Sequence, residues 1–356
     1  MKKTLITLSI VTLLNLNAVD KLDKDLGQMF MLGFKGTKVT KEFCSDIGTY
    51  NLGGVILFGN NIKNKSQLKK LTAKLQSCSI NNSLLIAVDQ EGGKVMRLRK
   101  KHGFHGDFLT AKKVSLMKPE EAKLHYERMA KELQSVGINY NLAPNVDLDI
   151  NKKSYIIHKL ERSYSSNPKI VSYYASLFIE THNKENLLTT LKHFPGHGSA
   201  SGDTHKGFVD VTKVWTREEL KPYITLKNYI DSVMVAHVFN RKLDPMYPAS
   251  LSKPTIDGIL RGEIGYQGVV ITDDLQMGAV VTRYKPHLLM ELAINAGNDI
   301  LLFGNQVKPK HNMRIGKLIA KLRPKFRTND LSRERINLSL ERIREMKKFI
   351  GLKNRN

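Results

Sequence analysis

Residues 268–274 read GVVITDD, and the fold turns on how that stretch is taken. An unbroken apolar run, Val269 to Ile271, ends in Thr272 and two aspartates. A half-exposed strand alternates apolar and polar positions, whereas a strand covered on both faces reads as a short continuous apolar run. The stretches GVILF at 54–58 and SVMVAHV at 232–238 have the same character. Working outward from these, strands are expected over 27–34, 53–58, 83–89, 138–146, 188–194, 232–238, 268–273 and 299–303. Between them lie segments with apolar residues at helical spacing, at 66–77, 119–136, 168–184, 217–230 and 291–296, and a long basic stretch over 308–350. Alternating strands and helices imply right-handed crossovers and a parallel sheet, and eight strands imply closure into a (β/α)8 TIM-type barrel. No G-x-G-x-x-G follows an early strand, which weighs against a dinucleotide-binding fold.

A chain of 356 residues with 41% hydrophobic content has the apolar material for one large interior, and a single domain over 19–356 is expected. Cys44 and Cys78 are too few for a disulfide framework or a zinc cluster. One bridge is the most they could form, and the expectation is two small buried apolar side chains. Lys plus Arg number 57 against 33 Asp plus Glu, a formal charge of +24. Such a field gathers anions, so electrostatic association with an anionic envelope is open to it. The basic residues are spread over most of the chain without an aromatic-interleaved basic motif, so nucleic acid is not an expected partner and the charge by itself assigns no function. At the N-terminus, Lys2 and Lys3 precede an apolar run over 5–14, and Ala18 follows, which is the order of a secretory signal over 1–18. Leu16 stands where a cleavage site prefers a small residue, so an uncleaved anchor is the competing reading, although the run is short for spanning. Export to the periplasm or medium is expected, with the cytoplasm as the alternative.

Polar residues fall at the ends of the apolar runs: VDQEGG after the third, APNVDLD after the fourth, KHFPGHG after the fifth, AHV after the sixth and TDD after the seventh. In a (β/α)8 barrel the carboxyl ends of the strands build the active site. Asp273 ends a buried strand, so its carboxylate is expected in the barrel mouth, where it can attack an electrophilic carbon. Asp274 points elsewhere by strand alternation and is expected to cap the following helix. The segment 192–208, KHFPGHGSASGDTHKGF, is a Gly-rich loop carrying Lys192, His193, His197, Asp203 and His205. Asp203 and His205 could act as a general acid–base pair, the carboxylate orienting the imidazole. The three histidines, His193, His197 and His205, also permit a metal reading, although a Gly/Ser loop is a poor scaffold for fixed ligand geometry. Asp89 could accept from substrate hydroxyls with Arg97 donating to the same ligand, or the two could form an ion pair at a turn.

The segments DQEGGKVMR, KHFPGHG with DTH after it, MVAHV with DP and PASLS, and GVVITDDLQMGA resemble, in this order from about 26 to 303, family 3 glycoside hydrolases. The resemblance is to their single-domain bacterial β-N-acetylglucosaminidases. It implies Asp273 as nucleophile, Asp203 and His205 as acid–base dyad, and Asp89, Arg97, Arg162, Lys192 and His193 as sugar-binding residues. Arg162, in ERSYSSNP, is singled out by the resemblance alone. The loop reads Ser-Ala-Ser-Gly before the dyad, where some relatives carry Asp and Thr, and Lys94 stands where relatives commonly have Arg.

The activity so implied is removal of terminal β-linked N-acetylglucosamine from peptidoglycan-derived fragments with retention, through a covalent glycosyl–Asp273 intermediate. No cofactor or metal is expected, the partner is a small glycan or muropeptide, and a monomer is expected. The alternatives are a β-glucosidase-like or phosphorolytic member of the same family, a metal-dependent barrel hydrolase, and a non-catalytic sugar-binding protein of the envelope.

Overall fold

The computed structural model describes residues 19–79, 84–306 and 312–351. The expected signal segment 1–18 lies outside the described residues. The barrel strands are β1 (Phe30–Gly33), β2 (Gly54–Ile56), β3 (Leu85–Val88), β4 (Tyr140–Asn141), β5 (Leu188–Phe194), β6 (Ser232–Val235), β7 (Val269–Thr272) and β8 (Leu301–Phe303). From β1 to β7 each pairs in parallel with the next in the chain, and β8 pairs with β1. The bridge between Ile271 and Ile300 closes the ring between β7 and β8. The (β/α)8 barrel is the architecture expected from the alternating runs. All four residues of β7 are buried, as a strand between a filled interior and an outer helical layer must be.

Most strands are shorter than the apolar runs, for local reasons. The expected first strand began at 27, but Gly27 and Gln28 end the helix Lys21–Gln28, which Asp20 and Asp23 start with a reciprocal capping box. The run 138–146 yields the strand Tyr140–Asn141 and a separate bridge of Asn145 to Lys192, with Pro144, which offers no N–H to the ladder, between them. The run 232–238 leaves the barrel after Val235, and Val238–Phe239 pairs instead with Val209–Asp210 in a small second sheet. The expected helix 217–230 is a short turn, Arg217–Leu220, followed by Lys221–Leu226. The basic stretch divides into Ile315–Arg327 and Arg333–Gly351 at a break where Asn329 has φ of 59°. Cys44 and Cys78 are not separate thiols: they form a disulfide joining the helices Lys41–Thr49 and Lys65–Cys78, with Cα atoms 5.2 Å apart.

The last helix, Arg333–Gly351, closes the end of the barrel opposite the site. Asp299, just before β8, is fully buried and accepts from Arg335, Arg342 and Ser339 of that helix at 3.1, 3.2 and 2.7 Å, and from Arg261 at 2.8 Å. Lys347 of the same helix donates to the Gly53 carbonyl before β2 and to Gln28. Within the barrel the Tyr140 hydroxyl meets Thr190 and Ser232, so three neighbouring strands are tied by one buried hydroxyl group of contacts.

Candidate active site

Strand ends deliver the site. After β3, alternation sends Asp89 and Glu91 to one side and Gln90 to the other. Gln90 is wholly buried and accepts the N–H groups of Arg97 and Leu98, folding 90–98 back on itself. Gly92 lies in the turn with φ of 107°, and a Cβ there would come within 2.1 Å of the Leu109 carbonyl oxygen. The fold-back aims Arg97 at Asp89, at 2.8 Å.

β5 carries a bulge: Lys192 pairs with Met234 and Phe194 with the next residue, Val235, so His193 is extra on its strand. A bulge re-aims side chains that strict alternation would send to opposite faces, and here both Lys192 and His193 reach the mouth. Lys192 Nζ sits between Asp89 at 2.9 Å and Glu91 at 2.7 Å, and Arg162 binds Glu91 through two N–H groups at 2.7 and 2.8 Å. Burial works against the charges of this group, but their mutual attraction outweighs it. Lys192 and Arg97 hold Asp89 well below the usual carboxylate range, Glu91 is drawn down to about 2 by Arg162 and Lys192, and Lys192 is raised by both carboxylates.

A second carboxylate, Asp147 in the segment after β4, holds the loop that follows β5. It accepts from His193 Nδ1 at 2.7 Å and from the N–H groups of His193 and His197 at 3.2 and 2.7 Å. Buried though it is, Asp147 is drawn down to about 2 by His193 and His197. His193 and His197 lie with ring centroids 6.1 Å apart, and among the described residues no group of three His, Cys, Asp or Glu side chains converges as metal ligands do.

Farther along the loop, the dyad is formed: His205 Nδ1 lies 2.9 Å from Asp203 Oδ1, with the His205 side chain 67% exposed. Asp203 also accepts the His205 backbone N–H at 3.0 Å. The loop tip rests on the segment after β7, where the N–H groups of Gly278 and Ala279 donate to the carbonyls of His205 and Thr204 at 3.2 and 3.1 Å. A Cβ on Gly278 would come within 2.8 Å of that His205 carbonyl oxygen, so the close approach requires glycine.

Asp273 follows β7, and its N–H donates to Val235 of β6. Burial pushes its carboxyl up, but His237, His193 and His205 together hold it below the ordinary range. His237 is itself buried, with Nε2 donating to the Asp274 carbonyl at 3.0 Å and Nδ1 2.6 Å from the Ser250 hydroxyl. Asp274 caps no helix, contrary to expectation. Its side chain turns back to the N–H groups of Gln276 and Gly304 at 3.0 and 3.1 Å, joining the β7 and β8 ends, and burial pushes it up to about 6.

The structure thus gathers Asp89, Arg97, Arg162 and Lys192 into one ion network, sets His193 beside it, and places His205 and Asp273 within each other's field. Glu91, Asp147 and His237 were not among the expected site residues. All three stand in motifs noted at strand ends, and alternation from Asp89 could have found Glu91.

The model for the Glycosyl hydrolase family 3 N terminal domain matches residues 21–346. A β-hexosaminidase of Pseudomonas aeruginosa is 34% identical over 281 residues, covering 77% of this chain and 82% of that protein. β-Hexosaminidase A of Pseudoalteromonas piscicida is 31% identical over 337 residues, covering 87% of this chain and 56% of that protein. Among solved structures, a glycoside hydrolase family 3 β-N-acetylglucosaminidase from Paenibacillus sp. str. FPU-7 superposes with a TM-score of 0.85 at 31% identity, over 93% of this chain and 63% of that one. The chain therefore spans less than two thirds of the Pseudoalteromonas and Paenibacillus proteins. With the family match running from the first described helix into the last, the chain belongs to glycosyl hydrolase family 3 through its N-terminal barrel domain.

Proposed function

We propose that the protein is a retaining, exo-acting β-N-acetylglucosaminidase that removes terminal β-linked N-acetylglucosamine from peptidoglycan-derived fragments. The placement of Asp273 carries the reading: a half-buried carboxylate at a strand end, held below the ordinary range by His237, His193 and His205, is fitted to attack an anomeric carbon. The choice of sugar follows the similarity to proteins named β-hexosaminidase and β-N-acetylglucosaminidase.

In this mechanism Asp89, Arg97, Lys192 and His193 hold the sugar hydroxyls, with Arg162 acting together with Glu91. Asp273 Oδ1 accepts the N–H of Asp274 at 2.8 Å, which leaves Oδ2 to attack. As the Asp273–carbon bond forms, the glycosidic carbon–oxygen bond breaks, and the leaving oxygen takes a proton from His205. Asp203 engages Nδ1, so the proton leaves from Nε2. Water then attacks the same carbon, returns its proton to His205 and frees Asp273, giving net retention.

We also propose that the protein acts outside the inner membrane as a monomer. The pattern of 1–18 and the Cys44–Cys78 bridge support an oxidising compartment. The decisive experiment is hydrolysis of a chromogenic β-N-acetylglucosaminide. Asp273→Ala is expected to be inert, and His205→Ala to lose about 10²–10⁴-fold in kcat. Inert wild type, or full activity in Asp273→Ala, overturns the reading.

A further inference from the structure

The loop that carries His205 is held at its tip by Gly278 and Ala279, and at its root by carboxylates on two sides. Asp147 takes the His197 N–H, and the next N–H along, that of Gly198, donates to Glu219 Oε2 at 2.8 Å. Glu219 comes from the turn Arg217–Leu220, which has no part in the mechanism above. It is 1% exposed and packs directly under the loop, where a Cβ on Gly196 would come within 2.5 Å of its own Cβ. Trp215, on the same segment, donates its indole N–H to the Pro195 carbonyl at 3.0 Å. The segment 215–219 is thus a buttress for residues 195–198.

The groups facing Glu219 are few. Asp147 lies across the loop root, the Ser199 hydroxyl and the N–H groups of Gly198 and Ser199 lie in front, and the Tyr223 hydroxyl faces it as well. Its second oxygen, Oε1, makes no geometric hydrogen bond among the described residues. His193 and His197 act on Asp147 instead, and no lysine or arginine forms an ion pair with Glu219 among the described residues. Burial, with the Asp147 charge adding to it, pushes the Glu219 carboxyl up to about 7 against an ordinary 4.5, despite the hydrogen bond from Gly198 and the polar groups of Ser199 nearby. A hydrogen bond to an ionised acceptor is roughly twice as strong as one between neutral groups, so the hold on Gly198 weakens when the carboxylate takes a proton.

We propose that Glu219 is a positioning residue that holds the acid–base loop in register through the Gly198 N–H, and that protonation of Glu219 slackens this hold. Its consequence for catalysis rests on the glycosidase reading, whereas its effect on the loop does not. As pH falls, a smaller fraction of loops present His205 correctly to the leaving oxygen. The contacts of Asp89, Lys192 and His193 with the sugar ring are untouched, so the loss falls on kcat and leaves KM in place.

Glu219→Gln keeps an acceptor for Gly198 and cannot ionise. With a chromogenic β-N-acetylglucosaminide between about pH 6 and 8, wild-type kcat is expected to fall on the acid side as Glu219 titrates. The Gln variant is expected to show a lower kcat without that component of the profile and with KM within about twofold of wild type. Backbone hydrogen exchange of peptides covering 196–207 reads the loop directly. After correction for intrinsic rates, exchange is expected to quicken in wild type at lower pH and to be independent of pH in the variant. Wild-type kcat and profile in Glu219→Gln overturn the proposal, as does exchange over 196–207 in wild type that ignores pH. If the variant does not fold, the wild-type exchange series decides alone. Wild type that cleaves no β-glycoside while its loop exchange still follows pH overturns the glycosidase reading and keeps the latch.

Discussion

Asp273 and Asp274 are adjacent in the chain and hold their protons differently: the first is kept below the ordinary carboxylate range by imidazoles, and the second is pushed up to about 6 by burial. Strand alternation points one into the mouth and one toward the β8 end, and the partners each meets decide its charge. Which aspartate faces the site was therefore legible in the order of residues, while the three histidines that tune it come from the end of β5, the loop after it and the end of β6. Asp147 shows the same dependence on partners. Asp147→Asn removes the charge that holds His193 and the loop N–H groups, and kcat/KM is expected to drop tenfold or more, corresponding to the ~1.5–3 kcal/mol of one hydrogen bond to a charged group. Steady-state kinetics with a folded variant checks this, and an unchanged kcat/KM contradicts the role given to Asp147.

At the scale of elements, the bulge in β5 puts Lys192 and His193 on the same site, and the helix Arg333–Gly351 fastens the opposite end of the barrel. Three guanidinium groups, from Arg261, Arg335 and Arg342, share one buried carboxylate. Asp299→Asn leaves them without a counter-charge and is expected to lower stability by about 3–5 kcal/mol, read from chemical denaturation. A loss too small to measure means that water or the nearby carbonyls satisfy these arginines unaided. Lys347 of the same helix meets two neutral oxygens and, among the described residues, no carboxylate, and burial pulls it down to about 7 from 10.5. Between these values the unfolded chain binds a proton that the folded one does not, so stability linked to Lys347 rises with pH across that window. Denaturation midpoints of wild type and Lys347→Met at about pH 7 and 10 are expected to diverge in favour of wild type at the higher pH. Parallel midpoints at both values discard this linkage.

At the scale of the molecule, the charge of +24 belongs to the surface and not to the site, where carboxylates and cations nearly balance. Turnover of a neutral chromogenic glycoside is expected to change little with added salt. Sedimentation with an anionic wall polymer, in contrast, is expected to be lost as the screening length falls below ~10 Å above about 0.1 M salt. Retention of that association at high salt shows that it is not electrostatic.

The order of apolar runs by itself determined the barrel, because a strand buried on both faces needs a continuous apolar run and eight of them in alternation with helices have few other ways to pack. It also determined that Asp273 lies at a strand end, and residue motifs brought Asp89, Lys192, His193, Asp203 and His205 to notice. Strand lengths were less legible, since the helix capped at Asp20 takes the first residues of one run and Pro144 interrupts the pairing of another. Only the tertiary structure decided that Cys44 meets Cys78, that Arg162 is bound to Glu91, and that Glu219 lies beneath the loop root. Each of these depends on two segments far apart in the chain arriving at one place. Periodicity specifies the face a residue occupies within its own element, and charge and hydrogen-bond partners across elements exist only once the barrel has closed.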